Sequence, residues 1–107
     1  MANNYKNSKV DLSTTNVTTI YTAPSATQTV VKSLLVSNDS GSADTITVTI
    51  TDSATAVFSV YKNEEVGALS SKELLSQPLI VMESEILKVT ATTAGRLHVV
   101  ASYLEIT

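Results

Sequence analysis

Between Asp44 and Thr51 the chain alternates Thr45, Thr47, Thr49 and Thr51 with Ile46, Val48 and Ile50. A period of two sends successive side chains to opposite faces of an extended chain, so one face is set for burial and the other for water. Thr, Val and Ile are branched at Cβ and stiff at χ1, which suits a pleated surface. The same habit recurs at residues 9–12, 16–22, 29–37, 56–61, 78–82, 85–92 and 96–106. Together with 45–51 these segments predict about eight strands. Turn formers separate them: Ala23-Pro24-Ser25, Asn38-Asp39-Ser40-Gly41-Ser42, Asp52-Ser53 and Ala94-Gly95. Gly supplies positive φ there, while Asn, Asp and Ser bond their own backbone. Strands recurring about every ten residues predict an all-β fold, a single antiparallel β-sandwich or jelly roll spanning residues 1–107.

Four stretches depart from simple alternation. Val30-Val31 with Leu34-Leu35-Val36, and likewise Pro78-Leu79-Ile80-Val81-Met82, place apolar groups on both faces. Such strands need cover on both sides, from a crowded sandwich or from another subunit. In the last segment Leu97, Val99 and Ala101 share a face, but Leu104 and Ile106 fall on the other, which predicts a bulge near Ser102-Tyr103. Residues 62–73 read as a solvated crossover between sheets, with a contact loop as the sharper alternative. Residues 1–8 are polar apart from Met1, Ala2 and Tyr5, and read either as an arm laid on a partner or as a frayed terminus.

Composition narrows the picture. Aromatic residues supply 5% and Trp is absent, so the core rests on Val, Leu and Ile, with Phe58 and four tyrosines as its large rings. A net charge of −3, with seven basic residues scattered singly, argues against a nucleic-acid partner, which requires clustered Lys and Arg. With no cysteine there is neither a disulfide framework nor a thiolate metal site, which suits synthesis in a reducing cytosol. No run approaches the roughly 18 apolar residues of a membrane span, and residues 1–8 lack the apolar stretch of a signal peptide.

The residue inventory leaves little room for chemistry. His98 is the only histidine, and alternation turns it away from Leu97 and Val99 towards the face of Arg96 and Val100, as an exposed or interface residue. No nucleophile elbow accompanies it. Asp39 and Asp44 lie in one oxygen-rich loop, but that loop lacks calcium-ligand spacing and is explained by a tight turn. Glu83 and Glu85 share a face at i, i+2 and read as a charged hairpin turn, since acid–base work would require a pocket separating their pKa values. The reading is of a non-enzymatic chain with no catalytic residue, metal or cofactor.

A series of strand and turn motifs carries a family resemblance. It runs through Thr19-Ile20-Tyr21-Thr22-Ala23-Pro24, Val31-Lys32-Ser33-Leu34-Leu35-Val36-Ser37-Asn38 and Ser40-Gly41-Ser42-Ala43-Asp44-Thr45-Ile46-Thr47-Val48. Glu85-Ile86-Leu87-Lys88-Val89 and Leu97-His98-Val99-Val100-Ala101-Ser102-Tyr103-Leu104-Glu105-Ile106 complete it. The series resembles small virion structural proteins of tailed bacteriophages, notably cyanophages. The resemblance implies a capsid decoration (cement) protein on the outer surface of the head, or else a tail, collar or baseplate component. It implies the major capsid protein or other virion proteins as partners, a homo-oligomer with a trimer favoured, and location in the virion after synthesis in the host bacterial cytoplasm. It names no catalytic or interface residue. A carbohydrate-binding module is the alternative of another class, which would require exposed aromatic rings among Tyr5, Tyr21, Tyr61 and Tyr103.

Overall fold

The computed structural model describes residues 2–107. Nine strands follow in order: β1 (Asn3–Asp11), β2 (Thr18–Thr22), β3 (Gln28–Asn38), β4 (Asp44–Thr51), β5 (Val57–Val66), β6 (Ser70–Glu73), β7 (Leu79–Val81), β8 (Ile86–Ala91) and β9 (Leu97–Ile106). They form two antiparallel sheets. Sheet A has the order β1-β9-β3-β6, with β7 also pairing β3, and sheet B has the order β2-β8-β4-β5. The pairs β1–β9, β2–β8, β3–β6/β7 and β4–β5 are those of one long hairpin folded upon itself. Rolling that hairpin adds β9–β3 and β8–β4, which gives the jelly-roll form of a β-sandwich.

The inward positions are those that period-two alternation assigns. Ile46 and Val48 of β4, Leu87 and Val89 of β8, and Leu97, Val99 and Ala101 of β9 join Val31, Leu34 and Val36 of β3 in one buried cluster. Loop residues Leu12, Ala23 and Leu74 close its ends. The large rings divide differently from the sequence expectation. Tyr21 and Tyr103 are buried, whereas Phe58 is 57% exposed beside the β4–β5 turn and so lies outside the core.

Several departures from the predicted elements have local causes. The last strand carries no bulge: β9 alternates buried and partly exposed residues from Leu97 to Ile106, keeping Tyr103 and Glu105 inward and turning Leu104 and Ile106 outward. The irregularity lies in its neighbour, where the β3 register shifts between Val31 and Ser33 opposite Tyr103 and Ser102. One extra residue there moves the inward set from Thr29 and Val31 to Leu34 and Val36, which accounts for much of the two-sided pattern of β3.

Residues 62–73 do cross from sheet B to sheet A and are mostly exposed, but all except 67–69 are strand. The first part continues β5 to Val66, and the last part is β6, paired with β3 from Leu35 to Asn38. Lys72 holds the two strands together through an ion pair of 2.5 Å with Glu64. Glu83-Ser84-Glu85 is a corner between sheets and not a hairpin, since β7 belongs to sheet A and β8 to sheet B. The Glu85 amide donates to the Met82 carbonyl, and Ser84 takes a φ of 67°. Residues Asn3–Asp11 lie along β9 in unbroken register as an edge strand of sheet A. Met1, the first residue of the stretch read as an arm, lies outside the described residues.

Candidate functional surface

The densest arrangement of polar side chains is structural in character. Glu105 is only 5% exposed because β9 keeps it inward between the sheets. The Tyr21 hydroxyl donates to its Oε2 at 2.6 Å, and Lys6 Nζ of the neighbouring β1 lies 2.8 Å from its Oε1. Tyr21 also bonds Thr29 Oγ1 at 2.7 Å, and the Tyr103 hydroxyl bonds Ser8 Oγ at 2.9 Å. The two tyrosine rings pack at 4.3 Å between centroids, which closes the cluster with apolar surface. Lys6 and the Tyr21 hydroxyl hold the Glu105 carboxyl below the ordinary carboxylate range, against the opposing effect of burial. Burial, reinforced by the Glu105 bond, pushes the Tyr21 hydroxyl up, and the bond to Glu105 raises Lys6. Every ionised group has a partner, and the cluster clamps β2 of sheet B to β1, β3 and β9 of sheet A.

Glu73 has a comparable role at the bulge. β6 and β7 both pair with β3 but leave a gap between them, and the Glu73 carboxylate fills it. It accepts from the Ser33 hydroxyl, from the Leu34 amide at 2.7 Å and from the Leu75 amide at 3.2 Å. Burial would raise its pKa, but these three donors outweigh that and lower it.

The residues weighed for chemistry do not converge. His98 lies on the outer face of sheet A, with Nε2 3.2 Å from Asp11 and Nδ1 3.8 Å from Asp39. Asp44 is across the loop, where its carboxylate accepts from the Thr93 amide. Asn38 organises the 38–42 loop: its Oδ1 accepts from the Ser40 amide and hydroxyl, and its Nδ2 donates to the Ser42 and Val66 carbonyls. Glu83 and Glu85 each accept from a backbone amide, of Ala26 and Met82 respectively. Among the described residues, no group of three or more His, Asp or Glu side chains is placed to hold a metal ion. Of the four tyrosines, only Tyr5 stands clear of the surface, at 74% exposure.

What stands out is the outer face of sheet A. Strand pairing places Tyr5, Leu104, Val30 and Ile80 in one row across β1, β9, β3 and β7. Ile80 is 53% exposed, and Met82, two residues on, is 56% exposed beside Ile106. Four strands thus turn apolar groups to solvent in a contiguous band, which monomeric proteins seldom do without use. Val30, Ile80 and Met82 belonged to the surplus of apolar residues visible in the sequence, whereas Leu104 and Ile106 were assigned to the core by an expected bulge; the alignment of all five into one band was not visible, because it depends on register.

The outer face of sheet B differs. Thr45, Thr47 and Thr49 of β4 lie beside Thr92, Thr90 and Lys88 of β8. Their hydroxyls bond laterally, as Thr45 and Thr92 do at 2.5 Å. Val17 and Val57 wall a shallow groove of about 430 Å³ over these residues. Thr51 also lines it, and its Oγ1 is the one buried side-chain polar atom without a partner among the described residues.

No protein-family model and no curated protein sequence matches this chain. Solved structures share its fold. It is similar to a chain of Bacillus endospore appendages, described as a novel family of disulfide-linked pili, with 12% identity and a TM-score of 0.60 over 99% of this chain and 87% of that one. It is also similar to a chain in the structure of infectious bursal disease virus Gt strain, with 11% identity and a TM-score of 0.52. That match covers 98% of this chain and 30% of the viral one. A pentameric capsid protein isolated from metagenomic phage sequences aligns over 94% of this chain and 59% of its own, with 22% identity and a TM-score of 0.47.

Proposed function

We propose that this chain is a non-enzymatic structural protein of a tailed-phage virion, a decoration protein that binds the outer surface of the head through the major capsid protein and works as a homo-oligomer. The observation that carries the reading is the apolar band on sheet A: a rigid sandwich turns Tyr5, Ile80 and Met82 to solvent while its most heavily bonded carboxylates, Glu105 and Glu73, hold its own strands together. The resemblance of the strand and turn series to phage virion proteins supplies the setting. Pili and virus particles, from which two similar structures of TM-score 0.60 and 0.52 come, are both built by repeated protein contacts.

Antibody against this chain, gold-labelled and applied to intact particles, tests the proposal. Label over the head is expected. Label confined to the tail replaces decoration by a tail role, and particles without label overturn the virion reading altogether.

A further inference from the structure

We propose that the outer face of sheet A docks onto the same face of a second copy about a two-fold axis parallel to the strands, between β9 and β3. This deepens the structural reading above and rests on it for its biological setting only. The argument comes from the order of residues across the sheet. One row reads Tyr5, Leu104, Val30, Ile80, and a second reads Lys9, Val100, Leu35, Glu73. The side chains of the first row are apolar from edge to edge, with Lys32 Nζ of β3 reaching to 5.7 Å from the Tyr5 ring centroid. The second is basic at the β1 edge, apolar in the middle and acidic at the β6 edge.

A two-fold rotation about that axis exchanges the edges of the face. It sets β1 of one copy over β6 and β7 of the other, so Lys9 meets the second copy's Glu73 and Tyr5 meets its Ile80. Leu104 meets Val30, and both matches occur twice. Charge and apolarity are therefore self-complementary in the same orientation, as an isologous interface requires. Rotation about the perpendicular axis would set Lys9 towards the β1 edge of its partner and forfeit the match.

Size agrees. Four strands about 4.8 Å apart and about 33 Å long present roughly 600 Å² of projected face. Side-chain relief raises this towards the roughly 800 Å² per partner of a stable interface. Strand directions agree within the twist of each sheet, the aligned geometry of face-to-face packing.

Light scattering on the full chain across a concentration series tests the pairing. The expected mass is twice the 11.3 kDa of the chain. Ile80→Asp, which by symmetry puts a charge against Tyr5 at both ends of the apolar row, should weaken association at least about 100-fold, and Lys9→Glu about tenfold. Thr49→Asp, on the outer face of sheet B, should leave it unchanged. Each variant is first shown to melt cooperatively at the wild-type temperature when dilute, which separates lost association from lost folding. A wild-type monomer overturns the pairing. So does a trimer, or a dimer indifferent to Ile80→Asp and Lys9→Glu. None of these results bears on where antibody labels the particle, so the two proposals fail separately.

Discussion

Sheet A and sheet B each bury one face against the other, and their inner faces are interchangeable in kind: Val, Leu and Ile at alternate positions. Their outer faces are not. Sheet B carries Thr45, Thr47, Thr49, Thr90 and Thr92, with Thr45 bonded to Thr92 and exposed Val17 and Val57 only at the margin, while sheet A carries Tyr5, Leu104, Val30 and Ile80 across four strands. The inner faces are dictated by folding, because the sandwich has no other source of stability of that size. The outer faces are free of that demand. A threonine lattice is what solvent alone selects on a strand. An apolar band in the equivalent place lowers solubility unless something covers it. The difference between the faces therefore separates what the chain needs to fold from what it needs to assemble.

The strongest test of that separation is made inside the sandwich. Leu87 is fully buried on β8, and Leu87→Ala should cost about 2–5 kcal/mol, measured by urea denaturation. A cost below about 1 kcal/mol would mean that the sheets are not joined by the core described.

The buried carboxylate comes next. Glu105→Gln should cost about 1–3 kcal/mol at neutral pH, since Lys6 and the Tyr21 hydroxyl lose a charged acceptor. The folded pKa of Glu105 lies below its ordinary value of 4.5, so its contribution is complete above that value and is lost as pH falls through the folded pKa. Lys6 is shifted the other way, and its contribution is complete below 10.5 and is lost as pH rises through its folded value. The difference in urea midpoint between wild type and Glu105→Gln should therefore shrink as pH falls below 4.5. A difference that stays constant, or grows, as the solution is acidified until the wild type unfolds would remove the charged clamp from the account.

The smallest effects define the outer faces. Thr47→Val on sheet B and Ile80→Asp on sheet A should each change the stability of the dilute monomer by no more than about 0.5 kcal/mol. Equal stability with unequal association is the signature of an assembly face. If Ile80→Asp unfolds the dilute chain, the band belongs to folding and the contrast between the sheets collapses.

Much of this was legible in the sequence. The alternation at 45–51 marks β4 and assigns its faces correctly, because period two is a local property of an extended chain. The eight predicted segments overlap β1–β5 and β7–β9, but most of β1, from Asn3 to Ser8, was read as an arm or frayed terminus and the end of β5, from 62 to 66, as a crossover. β6 was missed altogether: Ser70, Ser71, Lys72 and Glu73 carry no apolar alternation, and pairing with β3 makes them a strand. That no thiolate site exists follows from the absence of cysteine. The Glu105 cluster was not readable. Leu104 and Ile106 looked like core and Glu105 like surface, yet the strand keeps its phase and the glutamate goes inward, because Tyr21 and Lys6 arrive from β2 and β1 to satisfy it.

The sequence by itself determined the class of the fold, the inward sets of β4, β8 and most of β9, and the absence of any thiolate. These follow from backbone periodicity and from residue inventory, which do not depend on distant contacts. Only the tertiary structure decided that Lys32 and Ser33 carry the bulge, that Glu73 fills the gap beside it, and that Tyr5 and Ile80, 75 positions apart in the chain, stand in one row. Register between strands is set by long-range pairing, and a change of one residue sends a side chain to the opposite face. An apolar surplus can therefore be counted along a chain, but whether it gathers into a surface is settled only when the strands are laid side by side.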